Sequence, residues 1–199
     1  MIRVLGRATS GNVQKVVWLL EELGAPYQRE DYGRQFNNTD DAAYLGLNPT
    51  GKVPTLVDGD TVVWESNTIL RYLCAKLGSD LLPKDPAARS QAERWMDWLL
   101  ASLNEPYLQV FREAKKPENE RSPGFEAAGK ALAEQLALLD GYLAKHDYLA
   151  GDRPSVAEFA LGPIVHRCLN FPVKLPELAN LRRWHAKLAG KASFAKVVS

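Results

Sequence analysis

A chain of 199 residues is long enough to bury a core in one large domain or in two small ones. Its 25 basic and 24 acidic side chains nearly cancel, so the composition supplies no basic field for nucleic acid or an anionic membrane. The first residues, MIRVLGRATSGN, lack the apolar core of a secretory signal, and no apolar run is long enough to span a bilayer. We therefore expect a cytoplasmic protein with neither nucleic acid nor a membrane as a partner.

The first predicted elements alternate strand and helix. Residues 2–6 form a brief apolar run typical of a strand, and a turn follows at 7–12. Apolar residues then recur at helical spacing through 13–23, and Gly24 stands where a helix commonly ends. Residues 25–30 are predicted to form a second strand. This order is typical of a parallel β-α-β unit.

A hairpin and a helix are predicted next. The β-rich runs 55–57 and 61–64 are separated by Asp-Gly-Asp, and Asp-Gly between two such runs is a strong hairpin signal. Ser66 is predicted to cap a helix that ends near Gly78. A parallel unit joined to a hairpin predicts a mixed sheet with helices packed on it.

The second half of the chain predicts helices without strands. Residues 81–86 hold two prolines and are predicted to be a linker. Apolar stripes at helical spacing follow in 89–103 and 127–143. We therefore expect an α/β domain over residues 1–80 and an all-helical domain over 87–199.

Lys52-Val53-Pro54-Thr55-Leu56 is the first candidate binding segment. A proline just before a β-rich run removes one ladder donor, so it belongs at a sheet edge or a special turn. If the Val53-Pro54 bond is cis, the Val53 N–H and C=O can pair with an extended peptide as an added strand. The alternative is a trans proline that opens an edge strand, and base rates favour it because only about 5% of X–Pro bonds are cis.

Glu65-Ser66 forms a second candidate, at a strand-to-helix junction. Helix N-terminal amides and the Ser66 hydroxyl bind a carboxylate, and Glu65 can pair with an ammonium group. Together they suit an amino-acid head group that carries both charges. The alternative is that Ser66 only caps the helix and Glu65 only benefits from the helix dipole.

The turn before the first helix is the third candidate. A thiolate there is stabilised by the positive helix end and by hydroxyl or amide donors, which Thr9, Ser10 and Asn12 supply. Simple helix capping by these residues is an equally good interpretation. A phosphate loop is excluded, since the segment lacks the required glycine spacing and lysine.

Cysteines and histidines predict no metal site. Cys74 and Cys168 lie far apart without a C-x-x-C pair, which indicates neither a disulfide framework nor a zinc site. No cysteine or carboxylate spacing makes His166 and His185 ligands. Both cysteines are expected to be buried and inert.

Taken in order, these segments resemble the cytosolic glutathione transferase family, and the resemblance covers essentially the whole chain. The most specific stretches are N48-P-T-G-K-V-P-T-L56 and W64-E-S-N-T-I-L-R-Y-L73. The chain is most similar to the bacterial branches and to the theta-like enzymes that use serine. The resemblance implies an α/β plus all-α fold, with a thioredoxin-like N-terminal domain followed by an all-helical C-terminal domain.

The resemblance also implies how glutathione would bind. The Val53 backbone would pair with the cysteinyl part of glutathione, beside a cis Pro54. The pair Glu65-Ser66 would hold the γ-glutamyl end. Lys52, together with Gln35, would meet the glycine carboxylate.

Ser10 would occupy the catalytic hydroxyl position and donate to the sulfur. Asn12 matches an asparagine that assists the thiolate in some bacterial members, and Thr9 is a further candidate. This turn holds neither tyrosine nor cysteine, which argues against the classes that use those residues.

The second substrate is implied to be a hydrophobic electrophile, with Tyr107, Phe111 and Arg112 as candidate contacts. The predicted activity is glutathione conjugation, with glutathione as co-substrate and no cofactor. Two alternatives are glutathione-dependent disulfide or peroxide reduction and a non-catalytic transferase-like binding module. The family resemblance also implies a homodimer.

Residues 151–158, GDRPSVAE, resemble the family's folding signature before a buried helix. The physical basis is a capping box in which Ser155 is followed three residues later by an acid, Glu158. The family usually has aspartate at that position, and glutamate preserves the reciprocal cap. We expect this segment to be structural.

Overall fold

The computed structural model describes residues 1–198, and Ser199, the last residue of the expected helical domain, lies outside the described residues. The first 76 residues contain four short strands and three helices. In chain order these are β1 (Ile2–Leu5), α1 (Gly11–Glu22), β2 (Tyr27–Glu30), α2 (Ala42–Leu47), β3 (Thr55–Asp58), β4 (Thr61–Trp64) and α3 (Ser66–Lys76). A single 3₁₀ turn, Arg34–Phe36, precedes α2.

The four strands form one mixed sheet in the order β2-β1-β3-β4. Strand β1 pairs parallel with β2 across the α1 connection, and antiparallel with β3. Strands β3 and β4 form the predicted hairpin, whose turn carries Gly59 at a φ of 60°. The predicted mixed sheet with packed helices is confirmed.

The remainder of the described chain is helical, as predicted. A π-helical segment, Leu99–Leu103, joins α4 to α5 without a break, so the predicted helix over 89–103 is part of a longer one. The helices are α4 (Pro86–Trp98), α5 (Asn104–Glu113), α6 (Phe125–Leu143), α7 (Val156–Leu169), α8 (Ala179–Ala189) and α9 (Ala192–Val197). No helix within residues 1–198 has the length and apolar character that crossing a membrane requires.

Helix α7 lies at the centre of the helical region and is buried along most of its length. Its N-terminus has the predicted capping box: the buried Glu158 carboxylate accepts from the Ser155 amide at 2.6 Å and from the Ser155 hydroxyl at 2.9 Å. The same carboxylate accepts from the Leu149 amide at 2.6 Å, so it also anchors the preceding loop. Burial raises the pKa of Glu158, and these hydrogen bonds oppose that shift.

Helix α1 joins the two regions because it contacts α3 on one side and α7 and α9 on the other. Trp18 packs against α7 at Gly162, where an added Cβ would lie 2.8 Å from the indole ring. The Trp18 Nε1 donates to the Ser193 hydroxyl at 3.2 Å, and Gln14 donates to the Val197 carbonyl at 3.1 Å. The C-terminal segment therefore packs back onto the first helix.

The structure differs from the sequence prediction at the start of α3. Ser66 was expected to be the cap, but Glu65 occupies the N-cap position and Ser66 is the first helical residue. The chain turns into the helix through a positive φ of 69° at Glu65, and the Glu65 side chain makes no capping hydrogen bond. Positive φ is uncommon for a residue with a Cβ, so residue type alone did not indicate this turn.

Candidate active site

A cleft of about 490 Å³ lies between the sheet-containing region and the helices. On the sheet side it is lined by the turn before α1, by α1 itself, and by the β4–α3 junction. On the other side it is lined by the π-helical segment, α5 and α7. The lining residues are Arg7, Thr9, Ser10, Gly11, Asn12, Lys15, Arg34, Lys52, Glu65, Ser66, Leu99, Leu100, Asn104, Tyr107, Leu108, Phe111, Arg112, Ile164 and Arg167.

Ser10 holds the N-cap position of α1 without using its hydroxyl as a cap. The side chain is 7% exposed, and its hydroxyl has no hydrogen bond within residues 1–198. Thr9 and Asn12 also line the cleft but are exposed. The Thr9 carbonyl accepts from Arg167 at 2.9 Å, and the Asn12 Oδ1 accepts from Ser66 at 3.4 Å. Ser10 therefore offers a free donor at the positive end of a 12-residue helix.

The Val53-Pro54 peptide bond is cis, as the family resemblance implied. The loop that precedes it is held at the Lys52 carbonyl, which accepts from the Tyr44 hydroxyl at 2.6 Å and from the Asn48 side-chain Nδ2 at 2.8 Å. Strand β3 begins at Thr55, so Val53 lies just outside the ladder. Its amide and carbonyl make no hydrogen bond within the described chain, which leaves both for an added strand.

Glu65 and Ser66 present a carboxylate and a helix N-terminus to the same cleft. Ser66 is 5% exposed, and no side chain caps the first turn of α3. The first amides of that helix therefore remain available to an anion.

Lys52 lines the cleft, whereas Gln35, which was expected beside it, is exposed and does not. Its neighbour Arg34 lines the cleft instead. Both residues belong to the same 3₁₀ turn, in which Arg34 has a φ of 47°. The direction of each side chain in so short a turn depends on the backbone, which the sequence pattern did not predict.

An aromatic group forms the helical side of the cleft. Tyr107 and Phe111 stack with ring centroids 5.8 Å apart, and Phe171 lies 5.9 Å from Tyr107. Arg112 also lines the cleft. All three residues expected to contact a second substrate therefore face the same space as Ser10.

Comparison with known proteins identifies the family. Residues 9–76 match the family described as glutathione S-transferase, N-terminal domain, and residues 122–187 match its C-terminal domain. The chain is 37% identical to glutathione S-transferase GstB from Escherichia coli over 100% of this chain and 98% of that protein. The chain belongs to the glutathione S-transferase family. The predicted family and two-part fold are thereby confirmed.

Solved structures agree with this membership. The theta class glutathione S-transferase from Xanthomonas axonopodis pv. citri, solved with glutathione bound, is 38% identical, with a TM-score of 0.94 over 99% of this chain and 96% of that one. A glutathione S-transferase from Pseudomonas fluorescens is 29% identical, with a TM-score of 0.87 over 96% of each chain.

Four basic residues of this transferase cleft were missed by sequence reasoning: Arg7, Lys15, Arg34 and Arg167. Lys15 is 1% exposed. Burial lowers its pKa to about 7, and the charge of Glu65 opposes that shift. The sequence did contain a signal for the burial of Lys15. Gln14 and Lys15 are the only polar residues in 13–20, and a helix that is apolar on nearly every side is predicted to be buried.

The cysteines of this transferase lie away from the cleft and are buried. Burial raises the pKa of Cys74 to about 12 and also raises that of Cys168. Within residues 1–198, no group of three or more histidine, cysteine, aspartate or glutamate side chains is arranged to hold a metal ion.

Proposed function

We propose that this protein conjugates glutathione, through its sulfur, to small hydrophobic electrophiles. The observation that carries the proposal is that three recognition elements lie in one cleft or directly beside it. Two line the cleft, the open N-terminus of α3 at Ser66 and the unbonded Ser10 hydroxyl. The third is the unpaired backbone of Val53, which precedes a cis proline and follows the cleft-lining Lys52. An extended peptide with an amino-acid head group and a thiol has the groups that match all three.

Glutathione binds along the sheet side of the cleft. Its γ-glutamyl carboxylate accepts from Ser66 and the first amides of α3, and its ammonium pairs with Glu65. Its cysteinyl backbone pairs with Val53 as an added strand. Its glycine carboxylate lies at Lys52, with Gln35 as the second contact.

The sulfur then lies at the N-terminus of α1. A free thiol is only a few per cent ionised at neutral pH, so the site must lower its pKa. The Ser10 hydroxyl donates to the thiolate, and the helix dipole adds a positive field. Asn12 and Thr9 remain the other donor candidates of this turn. The electrophile lies opposite, against Tyr107, Phe111 and Arg112, so binding both substrates supplies proximity.

A Ser10→Ala variant tests the thiolate assignment. We expect the pKa of bound glutathione, read from thiolate absorbance during a pH titration, to rise by about 1 unit because one hydrogen bond to the charged form is lost. Ser90→Ala is the matched control, since Ser90 is an exposed serine on α4. An unchanged titration in Ser10→Ala, together with a raised pKa in Asn12→Ala or Thr9→Ala, would transfer the role to that residue.

Glutathione-dependent disulfide or peroxide reduction is separated from conjugation by assaying a haloarene, a small disulfide and a peroxide side by side. Since both cysteines are buried, a second glutathione would have to displace the thiol from the mixed disulfide, or water from the glutathione sulfenic acid that a peroxide produces. Activity confined to the disulfide or the peroxide would overturn conjugation as the function. Calorimetry with no detectable glutathione binding would instead support a binding module.

We also propose that the protein is a cytoplasmic homodimer. A dimer interface would bury apolar side chains that are exposed in the single chain. These are Val62 and Trp64 on β4 and Leu100 in the π-helical segment after α4. Light scattering coupled to size-exclusion chromatography gives the mass directly. A monomer mass at micromolar concentration would contradict the dimer.

A further inference from the structure

The cleft carries much more positive than negative charge. Six basic side chains line it, against the single carboxylate of Glu65, although the whole chain has a net charge of only +1. None of the six forms a salt bridge within residues 1–198. They are Arg7, Lys15, Arg34, Lys52, Arg112 and Arg167.

Glutathione, bound as proposed above, leaves part of this charge without a partner. Its γ-glutamyl carboxylate is bound by Ser66 and the α3 amides, and its glycine carboxylate needs one cation, Lys52. Its ammonium pairs with Glu65. Arg7, Arg34, Arg112 and Arg167 are then left facing the cleft without an anion.

Two of these arginines flank the aromatic group of the electrophile side. The guanidinium carbon of Arg34 lies 5.3 Å from the centre of the Phe111 ring, and that of Arg167 lies 5.8 Å from it. Arg167 is held in place, since it donates to the Thr9 carbonyl at 2.9 Å and to Gln14 Oε1 at 2.8 Å. Both guanidinium groups lie over the Phe111 ring, so an aromatic compound bound beside Phe111 would have them within reach of an anionic substituent.

Arg7 adds a third guanidinium beside these two. Its Nε is buried and has no hydrogen-bond partner within the described chain. Burial lowers the pKa of Arg7, and the positive charges of Arg34 and Arg167 lower it further. Like charges gathered in a partly buried cleft are unfavourable until an anion joins them, so the cluster is suited to bind one.

We propose that the electrophile is an aromatic compound that carries a carboxylate, which Arg34 and Arg167 bind with Arg7 nearby, while its ring packs beside Tyr107 and Phe111. This inference rests on the proposed conjugation activity and specifies its substrate class. For an aryl chloride, the glutathione thiolate attacks the carbon that bears chlorine. A C–S bond forms, and the C–Cl bond breaks with its electron pair leaving as chloride. The thiol proton has already passed to solvent.

The test compares 4-chloro-3,5-dinitrobenzoate with its neutral carboxamide, which has nearly the same shape. Each kcat/KM is divided by the uncatalysed rate constant with glutathione at the same pH, which removes the difference in intrinsic reactivity. We expect this normalised value to be about tenfold higher for the benzoate, the size of one charged hydrogen bond. Added salt is expected to reduce that preference, because it screens the charges.

Variants then assign the preference to the arginines. Arg34→Met and Arg167→Met are each expected to lower the ratio of benzoate to carboxamide kcat/KM about threefold, so that the two arginines together account for the roughly tenfold preference. Lys145→Met is the control, since Lys145 is an exposed cation on the loop after α6 that does not line the cleft. Arg34 is exposed and its side chain makes no hydrogen bond within residues 1–198, so its variant is informative even if Arg167→Met folds poorly.

The outcomes separate the two proposals. Activity on the carboxamide with no preference for the benzoate overturns the inference and leaves conjugation intact. Variants that slow both substrates equally and raise the KM for glutathione also overturn it, because the arginines would then bind glutathione. Loss of glutathione-dependent activity on every electrophile instead contradicts the proposed function.

Discussion

The two sides of the cleft are built differently. The sheet side presents main-chain groups and short polar side chains whose positions depend on the backbone: the cis peptide at Val53, the positive φ at Glu65 and the open first turn of α3. The helical side presents long side chains, Tyr107, Phe111 and Arg167, which project from otherwise regular helices. One side is therefore fixed by local backbone geometry and the other by how helices pack.

This difference has a functional consequence. A peptide that pairs with main-chain groups is recognised through geometry that few side-chain substitutions alter, so the sheet side suits one constant substrate. Side chains on helices can change while the helices keep their packing, so the helical side suits a substrate that varies between related proteins. Substitutions on the two sides are therefore expected to differ in their effects on stability or on kinetics.

The largest expected effect is the destabilisation of the helical side by Glu158→Ala. The substitution leaves the buried amides of Leu149 and Ser155 without acceptors at the start of α7, the helix that carries Arg167. We expect the free energy of unfolding to fall by about 3 to 4 kcal/mol, measured by urea denaturation. Glu126→Ala removes an exposed glutamate from the first turn of α6, and a similar loss there would contradict the special role of Glu158.

Lys15→Met is expected to stabilise the sheet side in a pH-dependent way. In the folded protein the pKa of Lys15 is lowered to about 7, so folding disfavours its charged form. The resulting penalty in the free energy of unfolding vanishes above the pKa that Lys15 has in the unfolded chain. The penalty grows by about 1.4 kcal/mol for each pH unit as the pH falls from 10 to 7, then levels off. The stabilisation should therefore be larger at pH 7 than at pH 9.

Thermal unfolding of both proteins at these two pH values measures the effect of Lys15. Lys145→Met serves as the control, because an exposed lysine should give no pH-dependent difference. A stabilisation that is equal at pH 7 and pH 9 would mean that Lys15 keeps an ordinary pKa in the folded protein.

Gly162→Ala tests the contact that joins the two sides. The new methyl group would lie 2.8 Å from the Trp18 ring and 3.2 Å from Leu188, so α1 and α7 must separate. We expect a loss of about 1 to 3 kcal/mol in the free energy of unfolding. Gly141→Ala, on α6 with no atom within 4 Å of the added Cβ, should instead be neutral or stabilising by up to about 1 kcal/mol.

The smallest expected effects separate the substrates kinetically. Ser66→Ala removes a proposed contact to glutathione, so kcat/KM for glutathione should fall by a similar factor, about tenfold or less, with every electrophile. Phe111→Ala should change kcat/KM by a factor that differs between electrophiles. A panel of haloarenes assayed with both variants makes the comparison. If the Ser66→Ala factor varied with the electrophile as widely as the Phe111→Ala factor, the division into two sides would fail.

The sequence by itself determined the elements and motifs that depend on near neighbours in the chain. The hairpin over 55–64, the capping box of Ser155 and Glu158, and the Val-Pro and Glu-Ser segments follow from local turn, cap and pattern chemistry. The α/β plus helical fold followed from their order. Short local features without such a signal, the six-residue α2 and the turn at Glu65, were not predicted.

Tertiary structure alone decided which side chains share the cleft. Arg7, Arg34 and Arg167 come from a turn, a 3₁₀ segment and α7, and their sequence spacing carries no mark of their proximity. Arg34 lines the cleft and Gln35 does not, which depends on the backbone of a single turn. Family resemblance placed Tyr107, Phe111 and Arg112 at the electrophile side, but no sequence pattern indicated the arginine cluster, because helix packing brings its residues together from positions far apart in the chain.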